Sequence, residues 1–263
     1  MVSVFPSNSA GNGFPSHQGV VLLFEAQHGS LVCIADAHEV TAIRTAAASA
    51  VATRLLSRAD ARVLALVGAG CQAEQHLYAM LSVRPAINEV RVWSRTAARA
   101  ASFAEKHSRD GISVVAVPSV AVAVQGADII CTVTPSEKPL VHSGDISAGV
   151  HINAVGACFP TQRELDSAVV QQSRLFVDTR AACLKEPGDL VVPLREEIIG
   201  EGHLLAEIGE LLAGTAEGRL CSDDVTVFKS VGAAVEDLCA AVRLYERATA
   251  LAQEAGPGTF PTM

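Results

Sequence analysis

The sequence predicts an α/β protein: a Rossmann-type doubly wound parallel sheet joined to a smaller, discontinuous α+β domain. Three observations predict it. Short apolar runs alternate with helical segments from residue 62 to about residue 180, as in a parallel sheet with crossover helices. The turn Gly68-Ala69-Gly70-Cys71-Gln72-Ala73 closes the first of those runs and opens a helix. Two β-rich runs near the start of the chain face each other across a short glycine turn, as a hairpin does.

Each element follows in order. After VSVFP and a Ser/Asn/Gly loop come GVVLLFEA, a His28-Gly29-Ser30 turn and LVCIADA, the hairpin. Glu39 to Ser57 is rich in alanine and leucine, the composition of a long helix. Ala46, Ala47, Ala50 and Val51 are expected to let it pack closely against a neighbour. RVLALVGAG reads as a short buried strand, Gln72 to Ser82 as a helix and EVRVWS as a second strand. TAARAASFAEKH is helical, SVVAV a strand, SVAVAVQGA a helix, and DIICTVT, GVHINAVG and RLFVDT are further strands. After residue 222 the chain gives one short strand and a long helix, and the tail GPGTFPTM is expected to be disordered. The hairpin is too small to fold alone. It is therefore expected to pack with the C-terminal strand and helix, residues 1–58 and 222–263 forming one domain around an inserted one at 59–221.

Composition narrows the function classes. Hydrophobic residues make up 49% of the 263 and charged residues 18%, which suits a compact soluble protein and not a disordered chain. A net charge of -8 without any lysine or arginine cluster argues against a nucleic-acid partner. No apolar stretch reaches the roughly eighteen residues a membrane helix needs, and the N-terminus lacks the pattern of a signal peptide. Seven cysteines with no C-x-x-C pair read as reduced thiols in the cytoplasm, not as disulfides or a metal site.

The glycine turn carries chemistry. In the G-x-G-x-x-G/A form, Gly68 permits a tight turn, Gly70 lets the backbone approach a pyrophosphate, and Ala73 keeps the helix close to the sheet. Free N–H groups at the helix start then hold the phosphates. A strand, helix and second strand at the expected spacing make residues 59–221 a dinucleotide-binding domain. An NAD site places Asp or Glu at the end of the second strand, on the ribose 2′-hydroxyl. Here that strand ends Trp93-Ser94-Arg95-Thr96, with Arg99 a turn further on. A hydroxyl and guanidinium groups suit a 2′-phosphate, so NADPH is expected in preference to NADH.

The blocks FPSHQGVVLLFE, RTAAASAVAT, GAGCQA, VWSRT, HINAVGA, RELD, LKEPGD and VFKSVGAAVED resemble the ornithine cyclodeaminase/mu-crystallin family, most nearly its ketimine-reducing branch. The resemblance runs from Val2 to about Tyr245. It implies a two-domain NAD(P)-binding enzyme, a homodimer pairing through the smaller, substrate/dimerisation domain. It also implies reduction of cyclic imino acids such as Δ1-piperideine-2-carboxylate by hydride transfer to C=N. Cofactor contacts would come from Ser16, His17, Gln18, Arg44, Ala69, Cys71, Gln72, Ser94, Arg95, Thr96, Arg99, Thr134, Val155 and Ser230, beside Gly68 and Gly70 of the turn. Arg44 and Glu186 would border the substrate pocket. Vertebrate members also bind thyroid hormone with NADPH.

Two departures bear on activity. Cyclodeaminases carry an aspartate in the loop after the AVG strand, where this chain has Cys158. A neutral thiol cannot replace that carboxylate, which favours plain imine reduction over ornithine cyclisation. Family members also carry a longer N-terminal segment, with a substrate-binding lysine that would fall just before Met1, so a shortened form, a fragment or a misplaced start is expected. A cofactor- and thyroid-hormone-binding protein with weak or lost catalysis is the alternative, and ornithine cyclodeaminase the third reading.

Arg44 is expected to hold the substrate carboxylate bidentately and so to act as the catalytic arginine; a surface charge is the competing reading. His17 lies in a polar turn from which its ring could reach the cofactor or substrate, or simply face water. His76 and His151 read as structural. In VFKS, strand alternation sends Lys229 and Ser230 to opposite faces; the resemblance turns Ser230 to the nicotinamide, and the plain reading leaves Lys229 facing solvent. Glu236 and Asp237 read as charge compensation at a helix N-terminus.

Overall fold

The computed structural model describes residues 1–5, 8, 14, 17–109 and 111–255. The tail expected to be disordered lies outside the described residues, as does Ser16. The elements in chain order begin with β1 (Val2–Val4), β2 (His17–Phe24), β3 (Leu31–Asp36), α1 (Ala37–Leu56), β4 (Val63–Val67) and α2 (Cys71–Val83). Then come β5 (Glu89–Trp93), α3 (Ala97–His107), β6 (Ser113–Ala116), α4 (Val120–Val124), β7 (Ile129–Thr132) and β8 (His151–Ala154). The rest are α5 (Ser167–Gln172), β9 (Arg174–Val177), α6 (Arg180–Cys183), α7 (Gly188–Arg195), β10 (Leu204–Glu207), α8 (Ile208–Leu212), β11 (Thr226–Lys229) and α9 (Ala234–Ala255). They divide into two units, Met1–Arg44 with Ala233–Met263, and Thr45–Gly232.

The larger unit is built on an eight-stranded sheet of order β10-β9-β11-β8-β7-β4-β5-β6, with every pair parallel. Parallel strands covered on both faces read as continuous apolar runs; β4 (VLALV) and β7 (IICT) follow that pattern, while β8 (HINA) and β11 (TVFK) are as fully buried but carry polar side chains. Successive side chains point to opposite faces. Ala65 and Val67 pack with Ile130, Ile152 and Val227 on one side, while Leu64 and Leu66 pack with Val90, Leu77 and Phe103 on the other. α3 buries Ala100, Phe103, Ala104 and His107, the one-sided spacing of a helix lying on a sheet.

In the smaller unit β1 and β3 flank β2, both antiparallel to it, and α9 packs against β2 and β3. The hairpin register sets Leu22 opposite Ile34 and Phe24 opposite Leu31. Val20, Leu22, Phe24, Leu31 and Ile34 are all exposed.

Three expectations need correction. The strand after residue 222 does not join the hairpin: β11 lies between β8 and β9 in the large sheet, because its TVFK run is buried on both faces. The units meet at 44/45 and 232/233, not at 58/59 and 221/222, because Ala50, Ala52 and Leu56 of α1 pack into clusters of the larger unit. Along α1 the buried stripe includes Ala46 and Ala50 but also Thr45, Ser49 and Thr53, while Ala47 is exposed and Val51 half-buried. A 3.6-residue period cannot bury Ala46, Ala47, Ala50 and Val51 equally. The short elements α5 to α8 and β10 carry no long periodic pattern that would mark them in the sequence.

Candidate active site

The large sheet changes direction at β4, with β5 and β6 running outward on one side and β7, β8 and β11 on the other. Ligands of doubly wound sheets sit at the carboxyl ends of the strands at such a switch point. The candidate residues of the larger unit gather there: Gly68 to Gln72 after β4, Ser94 to Arg99 after β5, Thr134 after β7, Val155 after β8 and Ser230 after β11.

The turn after β4 fits a pyrophosphate. Gly68 has φ +126°, and a Cβ there would fall 2.8 Å from the Val133 side chain, so only glycine makes this turn. Its N–H donates to the Trp93 carbonyl at 2.8 Å, tying the turn to the end of β5. Gly70 is the N-cap of α2 and has no side chain to cap that helix start, and space beyond Gly70 is open. The first N–H groups of α2 thus point toward room for an anion. At the end of β5, Ser94 is half-buried and Arg95, Thr96 and Arg99 are exposed. The chain carries no carboxylate between Glu89 and Glu105, so a 2′-phosphate would meet no opposing charge within that stretch.

A dinucleotide with its adenosine end over β5 and its pyrophosphate over β4 would extend over β7, β8 and β11. There the loops are tied together by carboxylates. Asp178, after β9, accepts from Ser230 Oγ at 3.2 Å and from the N–H groups of Val231 and Gly232 at 2.7 and 2.6 Å. Ser230 is 1% exposed, fixed at the end of β11. Glu164 is fully buried and accepts from Thr132 Oγ1, from the N–H and Oγ1 of Thr134, and from the N–H of Gly156, all within 2.8 Å. Cys158, half-buried in the loop after β8, donates its thiol to the Val155 carbonyl at 3.3 Å.

Lys229 overturns the expectation that it faces solvent. It is fully buried, with Nζ 3.1 Å from Oδ2 of Asp189, also fully buried. The sheet is covered on both faces, so strand alternation offers this lysine no wet side. Asp189 Oδ1 accepts in turn from the N–H groups of Glu164 and Leu165. Burial opposes the lysine's charge, but Asp189 and Glu164 outweigh it and hold its pKa above the ordinary value. Burial drives Glu164 the other way, up to about 7, with Lys229 partly offsetting it. The sequence reading missed Glu164, Asp189, Lys229 and Asp178 as working residues. The signal was present: RELD, LKEPGD and VFKSVGAAVED each supply one member of the Glu164–Asp189–Lys229 cluster.

The remaining candidates lie elsewhere. Arg44, in the smaller unit, places Nη1 3.0 Å from Oε2 of Glu236 and Nε 3.0 Å from Oδ1 of Asp237. The Asp237 contact is an ion pair without hydrogen-bond alignment. Glu236 and Asp237 therefore do more than compensate a helix end: they hold the arginine. Gln18 is exposed on β2, opposite Ser3, and His17 belongs to the same strand. Glu186 is exposed just after α6. His76 and His151 are structural as expected, buried against Ser49 and the Gln72 carbonyl and against Thr226 and Asn153. Among the described residues no helix is long and apolar enough to cross a membrane.

A glycine cradle at the switch point, with side chains set around a dinucleotide's far end, defines a nicotinamide-dependent oxidoreductase. Comparison with known proteins gives the family. The sequence profile of the Ornithine cyclodeaminase/mu-crystallin family matches residues 1–251, and the chain belongs to that family. It is 42% identical over 242 residues to ketimine reductase mu-crystallin of Rattus norvegicus, covering 92% of this chain and 73% of that protein. Among solved structures, Δ1-pyrroline-2-carboxylate reductase of Thermococcus litoralis with NADH and L-proline superposes with a TM-score of 0.91 at 39% identity. That match covers 95% of this chain and 77% of the other. An archaeal alanine dehydrogenase dimer with bound NAD gives 0.89 at 31% identity, with the same two coverages.

Proposed function

We propose that the protein reduces a cyclic imino acid, a ring ketimine such as Δ1-piperideine-2-carboxylate, with NADPH as the hydride donor. The nicotinamide, when bound, supplies the hydride; the chain supplies position, charge and exclusion of water. The observation that carries this reading is the loop after β8. A thiol bonded to its own backbone stands where a cyclodeaminase would need a carboxylate. Relatives that reduce C=N bonds support it, ketimine reductase mu-crystallin and Δ1-pyrroline-2-carboxylate reductase among them.

The roles proposed are those that the family resemblance implies. Gly68, Ala69, Gly70, Cys71 and Gln72 cradle the pyrophosphate, while Ser94, Arg95, Thr96 and Arg99 take the 2′-phosphate. Thr134, Val155 and Ser230, with Ser16, His17 and Gln18, hold the nicotinamide half. Arg44 receives the substrate carboxylate, its guanidinium oriented beforehand by Glu236 and Asp237, and Glu186 borders the pocket. The smaller unit pairs two copies, since the outer face of its hairpin leaves Val20, Leu22, Phe24 and Ile34 in water.

The test follows the absorbance of NADPH with Δ1-piperideine-2-carboxylate and Δ1-pyrroline-2-carboxylate. Oxidation with either is expected. Cofactor binding with no oxidation, above all alongside iodothyronine binding, would overturn the reading; ornithine-dependent ammonia release would overturn the interpretation of Cys158. Arg95→Asp should weaken NADPH relative to NADH by about tenfold. An unchanged preference means the phosphate is held elsewhere.

A further inference from the structure

One buried carboxylate joins the two loops nearest the ring end of the proposed cofactor site. Glu164 sits late in the segment after β8, and its four donor groups come from the end of β7, the loop beyond it and the start of that segment. Thr132 ends β7, Thr134 is two residues beyond it, and Gly156 is two residues beyond β8. The Oε1 atom takes the Thr134 N–H at 2.6 Å and its hydroxyl at 2.8 Å. The Oε2 atom takes the Gly156 N–H at 2.7 Å and the Thr132 hydroxyl at 2.8 Å. The loops are pressed together around it: a Cβ on Gly156 would fall 2.1 Å from the Thr134 carbonyl and 2.7 Å from Glu164 Oε1. Asp189 holds the glutamate's own N–H, and Lys229 holds Asp189. The brace is itself braced.

We propose that Glu164 is a positioning residue for the reaction: its carboxylate sets the spacing of the loops after β7 and β8, so that Thr134 and Val155 meet the nicotinamide ring in one register. It touches neither hydride nor imine. The proposal rests on the dinucleotide reading of this site, and on no particular substrate.

The chemistry of the four donors makes the brace sensitive to protonation. Both oxygens face backbone N–H groups, which cannot turn round to accept. Each oxygen also faces a threonine hydroxyl, which can turn round; adding a proton therefore reverses that hydroxyl bond and replaces a charged acceptor by a neutral one, loosening the hold on the loop. The charged groups facing Glu164 are Lys229 from β11 and Asp189 from α7, and Glu164 titrates at about 7. The ionised brace thus forms as pH rises through neutrality.

The test uses the full chain with NADPH alone, because the protonation of an imine substrate would itself shape a turnover profile. Fluorescence of the bound reduced nicotinamide should change with pH in one step, with a midpoint of about 7. Thr132→Val keeps volume but removes one donor to the ionised form, and should raise that midpoint by about half to one unit. Glu164→Gln should abolish the step and lower ketimine turnover by about 10- to 100-fold while the NADPH Kd changes by less than about threefold. Its amide N–H₂ must oppose a backbone N–H. An absent step in the wild type, or an unmoved midpoint in Thr132→Val, overturns the proposal whether or not Glu164→Gln folds. So does a folded Glu164→Gln with unchanged turnover, or with turnover, Kd and Tm falling together. Failure of the wild-type chain to bind any nicotinamide dinucleotide overturns the cofactor reading as well. Normal binding without ketimine turnover overturns only the substrate, and the two pH arms still decide Glu164.

Discussion

Two ionic clusters in this molecule have the same composition, one cation with two carboxylates, and opposite surroundings. In the smaller unit Arg44 lies between Glu236 and Asp237, with side-chain exposures of 14%, 15% and 36%. In the larger unit Lys229 lies beside Asp189 with neither exposed at all, and Glu164 completes the group. Water decides what each can do. Partly hydrated charges exchange partners more cheaply than sealed ones, which is what the proposed role of Arg44, taking a substrate carboxylate and returning to its own acids, requires. Charges sealed from water cannot lose a partner without a heavy desolvation cost, so the lysine cluster serves as scaffold. A guanidinium suits the first task because it binds carboxylates bidentately, and a compact ammonium suits the second.

Breaking the buried cluster should have the largest effect. Lys229→Met leaves Asp189 buried and uncompensated, and should cost about 3–5 kcal/mol in a denaturant titration. A loss under about 1 kcal/mol would show that the two clusters do not differ as described. Arg44→Ala should raise KM for the imino acid by about 10- to 100-fold, the loss of a charge-assisted bidentate contact. It should shift the stability of the fold by no more than about 1 kcal/mol. A KM within twofold of wild type would remove Arg44 from the substrate site.

Acid sharpens the contrast between buried groups of opposite kind. Burial lowers His76 from 6.5 to about 4 and His151 to about 3. The unfolded chain therefore takes up protons that the folded one refuses as pH falls below 6.5, and stability is lost. Glu164 works in reverse: raised from 4.5 to about 7, it destabilises the fold as pH climbs through that window. Two histidines outweigh one glutamate, so Tm should fall on acidification from pH 6.5 toward 4, and more steeply in Glu164→Gln. A Tm that rises on acidification would contradict the burial of both histidines. The smallest effect is expected from Glu236→Gln, within about 1 kcal/mol in stability. A larger loss would place the Arg44 cluster with the scaffold.

The sheet was legible because parallel strands with two covered faces tend to apolar runs, as β4 and β7 do, and because the strands alternate with helical segments. The covering of both faces hid Lys229, since alternation distributes residues between faces but is silent on whether a face is wet. Gly68 and Gly70 were legible as local backbone requirements. The Arg44–Glu236 pair spans 192 residues, and nothing local in the helix start at Ala234 marks it. Glu164 stood in plain sight within RELD. Its importance lies in the donors it collects from the end of β7 and the loops after β7 and β8, and no spacing along the chain encodes them.

Consider finally the place of β11. Among the strands of the large sheet it comes last in sequence, yet it lies between β8 and β9. Without it the sheet is two separate pieces: β6-β5-β4-β7-β8, and the pair β9-β10. A chain emerging from the ribosome must therefore hold two unpaired inner edges until residues 226–229 arrive, a long-range pairing that is slow to form and open to wrong partners meanwhile. The strand that closes this gap carries Lys229, whose salt bridge to Asp189 becomes possible only then. Assembly of the fold and of the nicotinamide end of the proposed site is completed by the same four residues.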